Sequence, residues 1–95
     1  MIRHIVFFKL EDNSKEIKEE LKSKLISLKD KITIIRHLEV GINFNKGDRA
    51  YDLSLITDFD SVEDLNTYAN HPLHVEVIKY IKSLNAITKV VDYQY

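Results

Sequence analysis

Nine consecutive positions near the start of the chain, Ile2 to Leu10 (IRHIVFFKL), are β-branched or aromatic at most places, too apolar for a strand with one wet face. Both faces of this first strand must be covered. Asn13 then offers an N-cap with Glu16 three residues on, and Ile17, Leu21, Leu25, Leu28 and Ile32 recur at steps of four, four, three and four, which predicts a helix with one apolar stripe.

Alternation by two replaces helical spacing over Ile34 to Phe44 (IIRHLEVGINF). Ile34, Leu38, Val40, Ile42 and Phe44 share one face, and His37, Glu39 and Asn43 the other. Gly41 inside this second strand marks a bulge or a close approach. Asn45 to Ala50 supplies a hairpin loop, and Tyr51 to Phe59 alternates again as a third strand, with Tyr51, Leu53, Leu55 and Phe59 opposite Asp52, Ser54 and Asp58. Ser61 caps the next helix with Asp64 at its third position, and Val62, Leu65, Tyr68 and Ala69 trace an inner face.

That helix meets His71-Pro72. Proline lacks an amide hydrogen and disfavours helical geometry at the residue before it, so the helix must break there, while proline is well tolerated at the start of a new helical segment. His71 is expected to N-cap the second segment, which carries His74, Ile78 and Ile81 on one stripe. Ala86 to Tyr95 closes as a fourth strand of open phase.

The order β-α-β-β-α-β over residues 1–95 predicts an α+β, ferredoxin-like sandwich: one domain with an antiparallel sheet and helices on one face. The other sheet face stays open. Ile5, Phe7, Ile56, Ile87, Val91 and Tyr93 fall on it, mixed with His37, Glu39, Ser54 and Asp58, and an apolar patch of this kind predicts a homodimer packed through the open face.

Composition narrows the function classes. A chain of 95 residues buries only roughly 60–65% of its unfolded surface, so association would add to a small core. The formal charge of −1 and pI of about 6.4, with charges interspersed, supply no basic field for nucleic acid or anionic lipid. With no cysteine, disulfides, thiolate metal sites and cysteine nucleophiles are excluded. No apolar run has the length of a membrane span or the pattern of a secretion signal, so a cytoplasmic protein is expected.

IRHIVFFKL, LEVGINF, AYDLSLITDFDSVEDLNTYANHPLHVEV and the closing VVDY together resemble the stress-responsive A/B barrel (Dabb) family of dimeric α+β barrels, over nearly the whole chain. The most specific part is Tyr68, His71, Pro72 and His74 (YxxHPxH). The resemblance implies a dimeric barrel. In its plant polyketide cyclase branch, a histidine and a tyrosine of this motif carry an aldol-type ring closure, and the matching positions are His74 as general base and Tyr68 as hydrogen-bond donor. An imidazole titrating near ~6.5 can take a proton at neutral pH, and a phenol near ~10 stays protonated to polarise a carbonyl. The break at His71-Pro72 would turn both into one cavity.

The family cavity lies between the first strand and the helices. On that basis His4, Val6, Phe8, Leu21, Leu25, Leu38, Leu55 and Val90 are expected to line a pocket for a small apolar, oxygenated ligand. Leu21 and Leu25 depart from the cyclase branch, which has aromatic residues on its first helix. An enzyme of this kind would be a polyketide-cyclase-like lyase working without cofactor.

Each assignment has a structural rival. His74 precedes Ile78 by one turn and would serve equally as a buried histidine at the kink, and Tyr68 as a core aromatic with its hydroxyl tied off. The protein would then be a non-enzymatic, stress-associated dimer. No metal site is assigned, because His71 and His74 need a third ligand such as His4 or Asp92. An RNA-recognition motif shares the strand order, but the third strand lacks its basic and aromatic residues. Cofactorless monooxygenases share the dimeric barrel, which makes oxidation of a quinol-like substrate a minor alternative by analogy of fold.

Overall fold

The computed structural model describes all 95 residues. In chain order the elements are β1 (Ile2–Lys9), α1 (Lys15–Ile26), α2 (Leu28–Lys31), β2 (His37–Ile42), β3 (Leu53–Phe59), α3 (Val62–Asn70), α4 (Pro72–Ser83) and β4 (Ile87–Gln94). The sheet is antiparallel throughout and ordered β2-β3-β1-β4, with α1 packed on β2 and β3, and α3 on β1 and β3. This is the ferredoxin-like sandwich that the sequence predicts.

The core lies between helices and sheet. Val6 and Phe8 of β1, Leu53, Leu55 and Phe59 of β3, Leu21 and Leu25 of α1, Leu28, Ile32, Tyr68, Val77 and Ile81 are all buried. Their regular spacing on each element is what made the helix stripe and the strand phases readable. No helix is long and apolar enough to cross a membrane.

Several boundaries differ from expectation. Asn13 does not cap α1: its side chain donates to Asp52 across the β1–α1 turn, and Ser14 instead accepts from the Ile17 amide. The first apolar stripe is shared by two helices, because the chain turns at Ser27 before Leu28. The second strand starts at His37 and ends at Ile42, leaving Ile35 buried in the preceding turn and Phe44 outside the core. Val62, expected on the inner face of α3, is exposed. The third strand starts at Leu53 because Tyr51 and Asp52 belong to the loop, where the Asp52 carboxylate accepts from the Leu10 amide at 2.7 Å. Gly41 produces no bulge, as β2 and β3 stay in unbroken register. A Cβ there would meet Ser54 Oγ at 3.2 Å, which is the close approach.

After α4, Asn85 takes a left-handed conformation with φ of 53°, a geometry asparagine tolerates at a helix end. The chain then enters β4, and all eight residues of that strand are exposed. No helix therefore covers its helix-side face, where Thr88, Val90, Asp92 and Gln94 stand by register with Phe8, Val6, His4 and Ile2.

The open face is apolar at its centre and closed at one end by an ion pair. Arg3 donates twice to Asp58, at 2.9 Å each, and Tyr95 Oη donates to the same carboxylate at 2.8 Å. Asp58, on the otherwise open face, is nearly inaccessible. The Arg3 hydrogen bonds, with help from Tyr95, hold the Asp58 carboxyl below its ordinary 3.8 against the opposing effect of burial.

A carboxylate with a depressed folded pKa contributes stability that is complete above its unfolded pKa and is lost as pH falls through the folded value. Thermal melts of the wild type should therefore weaken as pH drops below about 4, and Asp58→Asn should flatten that acid dependence while lowering Tm at pH 7. Parallel acid limbs for the two proteins would refute this role.

Candidate functional site

Tyr68 stands in the last turns of α3 and His74 in the first turn of α4, with the break between them. Its geometry follows from Pro72. His71 is extended, with φ −64° and ψ 134°, as the residue before proline prefers, and its Nδ1 accepts from the Leu73 amide at 3.1 Å. His71 thus caps α4. The turn brings the rings of Tyr68 and His74 to a centroid separation of 4.3 Å.

Two further rings complete the cluster. Phe59 of β3 lies 5.0 Å from Tyr68, and His4 of β1 meets it edge-on at 6.3 Å. The structure therefore brings together His4, Tyr68 and His74, three residues spread over most of the sequence.

Hydrogen bonding assigns the tautomers. His74 Nδ1 lies 3.0 Å from the Ala69 carbonyl oxygen. A carbonyl only accepts, so in the neutral ring Nδ1 carries the proton and Nε2 holds the free lone pair. His4 Nδ1 lies 2.5 Å from Asp92 Oδ1, and the carboxylate again fixes the protonated nitrogen. Asp92 was visible beforehand only as a conceivable metal ligand. Its pairing with His4 depends on the β1–β4 register, which the sequence left open.

Burial tunes both candidate groups. His74 is pushed below its ordinary 6.5, first by desolvation and then by the nearby His4 and His71, with the Ala69 hydrogen bond opposing. It is neutral at pH 7. Burial also pushes the Tyr68 phenol well above its usual range, so it stays protonated. Tyr68 is only 1% exposed, and its hydroxyl makes no hydrogen bond. A buried hydroxyl without a partner is unfavourable by roughly 1–3 kcal/mol. A neutral base beside an unspent donor can remove a proton from a carbon acid and hold the developing oxyanion.

The expected pocket lining is placed differently. Val6, Phe8, Leu21, Leu25 and Leu55 are buried in the core cluster around Tyr68, and Leu38 packs against its edge. Val90 is half exposed on the uncovered side of β4. Two clefts lie elsewhere, one under the β2–β3 hairpin and one between α1, α2 and α4, and neither includes His74. Leu21, Leu25 and Leu55 belong to one buried core cluster, which fills the helix side of the sheet. Beside His4, the β4 residues Val90 and Asp92 are exposed. No three His, Asp or Glu side chains converge in a way that could hold a metal ion.

The model of one family, the stress responsive A/B barrel domain, matches residues 2–95. A dimeric protein of unknown function and ferredoxin-like fold from Bacteroides fragilis is 33% identical, with a TM-score of 0.87, covering 99% of this chain and 95% of its own. A dimeric ferredoxin-like protein of unknown function from Thermobifida fusca is 23% identical, with a TM-score of 0.85 and coverage of 99% and 90%. The hydroxynitrile lyase of Passiflora edulis is 21% identical, with a TM-score of 0.83 and coverage of 97% and 90%. At such identities the last two show the fold alone. None of the curated proteins compared matches the chain.

Because the Tyr68 hydroxyl has no partner, Tyr68→Phe should leave stability unchanged or raise it by up to about 1 kcal/mol. Urea denaturation of the two proteins checks this. A loss of about 2 kcal/mol or more would mean that the hydroxyl is hydrogen-bonded in solution.

Proposed function

The chain belongs to the stress-responsive A/B barrel family, and from that premise we propose that it is a dimeric α+β barrel protein performing aldol-type chemistry on a small, apolar, oxygenated carbonyl compound. His74 is the general base and Tyr68 the hydrogen-bond donor. The observation that carries the proposal is the buried Tyr68 hydroxyl, left without a partner beside an imidazole that burial keeps neutral.

In this reading His74 Nε2 takes a proton from the carbon next to a carbonyl. The electron pair moves onto the carbonyl oxygen, where the Tyr68 O–H donates to the enolate. The enolate carbon attacks a second carbonyl of the same molecule, forming the carbon–carbon bond, and the new alkoxide recovers the proton from the His74 imidazolium. His4, fixed by Asp92, flanks the phenol and positions the substrate oxygen. The reverse sequence breaks the bond, which is the lyase direction.

The open sheet face forms the dimer contact. Glu39, Ile56, Ile5 and Val91 lie in one cross-strand row, with Phe7 and Tyr93 in the rows on either side. Two such faces packed together would bury the apolar centre, and that the neighbours are dimeric supports a homodimer. A second reading, a non-enzymatic dimer in which the kink serves packing, is favoured by one observation: Leu21, Leu25 and Leu55 leave the core closely filled.

Turnover of a poly-β-carbonyl thioester, followed by chromatography, separates the two. The catalytic reading expects His74→Ala to lower turnover by about 10²-fold or more, and Tyr68→Phe by about tenfold or more, with folding intact. Since His74 titrates below 6.5, activity should hold from pH 8 to 6.5 and fall only at lower pH. Absence of turnover, together with His74 imidazole signals that no carbonyl fragment shifts, would establish the accessory dimer instead.

A further inference from the structure

Two helix ends meet at His71-Pro72, and each leaves backbone groups without a partner inside its own helix. The His71 amide donates to the Tyr68 carbonyl at 3.1 Å, and the Val75 amide donates to the His71 carbonyl at 2.9 Å. Two imidazoles satisfy two more. His71 Nδ1 accepts from the Leu73 amide at 3.1 Å, and His74 Nδ1 lies 3.0 Å from the Ala69 carbonyl oxygen. His71 thereby serves the helix that follows it, and His74 the helix that precedes it. Because Pro72 has no amide, Leu73 carries the first donor of α4, and His71 supplies the side-chain cap.

The two rings need opposite tautomers. An acceptor nitrogen carries no proton, so the neutral His71 ring holds its proton on Nε2, whereas the neutral His74 ring holds its own on Nδ1. Protonation therefore acts on them differently. A second proton on His74 goes to Nε2 and leaves the bond from Nδ1 to the Ala69 carbonyl in place, so this imidazole can take up and return a proton without loosening the joint. A second proton on His71 must go to Nδ1. There it removes the acceptor, orphans the Leu73 amide and sets a positive charge at the positive end of the α4 dipole. Both consequences oppose the cap.

No carboxylate offsets that charge. His71 is in no ion pair: Glu76 of α4 is paired with Lys79, and neither Glu63 nor Asp64 of α3 reaches it. The titratable groups across the joint are His74 and, beyond Tyr68, His4 with its partner Asp92.

We infer that His71 is a positioning residue of the Tyr68–His74 site: its unprotonated Nδ1 latches α4 at the break and so holds the His74 ring against Tyr68, and acid opens the latch by protonating that nitrogen. The catalytic consequence rests on the function proposed above, whereas the latch is read without turnover.

The Tyr68 ring, 4.3 Å from that of His74, shifts the NMR signals of the carbon-bound His74 protons and reports where this imidazole stands. In the full-length protein at pH 8, those protons should keep their wild-type positions in His71→Asn, whose side-chain oxygen can accept the same amide. In His71→Ala they should move towards the positions of an exposed histidine. Hydrogen exchange at Leu73 and Val75 should quicken about fivefold in His71→Ala, the loss usual for a helix cap. Taking the wild type from pH 8 to pH 5, where imidazoles carry two protons, should lower the protection of the same amides about fivefold and leave His71→Asn unchanged. That range stays above the acid limb of the Asp58 pair. With the poly-β-carbonyl thioester, His71→Ala should lower kcat about tenfold and His71→Asn by less than about twofold. Absence of turnover in the wild type counts against the catalytic reading alone, since the exchange and shift measurements decide the latch.

The inference is overturned if His71→Ala leaves the His74 protons at their wild-type positions, or if wild type and His71→Asn lose equal protection at pH 5, which would put the acid sensitivity on His74 or His4. It is equally overturned if His71→Asn behaves as His71→Ala does at pH 8, as it would if ring packing and not the acceptor held α4. Should His71→Ala fail to fold, the pH comparison between wild type and His71→Asn decides by itself.

Discussion

The central strand β1 is hydrogen-bonded on both edges, to β3 and to β4, and pleating forces its side chains to alternate between two faces. His4, Val6 and Phe8 go to the helices, and Arg3, Ile5 and Phe7 to the open face. This one constraint organises the molecule. Moving β1 by one residue would put Arg3 into the core and Val6 into the open face, and would part His4 from Asp92 and Arg3 from Asp58.

On the helix side, the second constraint is Pro72. A continuous helix would carry Tyr68 and His74 six residues apart on different faces, whereas the break at His71 directs both rings to one place. The resulting site departs from the rule that buried polar groups are satisfied, for Tyr68 keeps its hydroxyl unpartnered next to a buried imidazole. The surrounding core makes this tolerable by holding the ring between Phe59 and His74, and the missing partner is the feature a substrate oxygen would supply. Leu21, Leu25 and Leu55 fill the core on the helix side, whereas β4 beside His4 is exposed.

The open face follows a different chemistry. Its apolar middle suits a second protomer, and its Arg3–Asp58–Tyr95 end ties the last strand to the first. A small sheet with helices on one side thus presents two chemically distinct faces, and substitutions on β1 can be assigned to one or the other by parity alone.

The fold was legible in the chain because it rests on local signals: the apolar run Ile2–Leu10, the alternation in Tyr51–Phe59, the stripe from Ile17 to Ile32, the cap at Ser61 and the break at His71-Pro72 are all short-range. The same break, with Tyr68 and His74, marked the candidate site. What only the tertiary structure decided are matters of register and competition. Ser14 caps α1 because Asp52, distant in sequence, takes the Asn13 side chain. Asp92 joins His4 because β4 pairs with β1 in one register among several, and Asp58 is buried because Arg3 and Tyr95 close on it. The expected pocket became core for a similar reason, since whether leucines line a cavity or fill it depends on distances between elements. Long-range packing sets those distances, and no local pattern of residues encodes them.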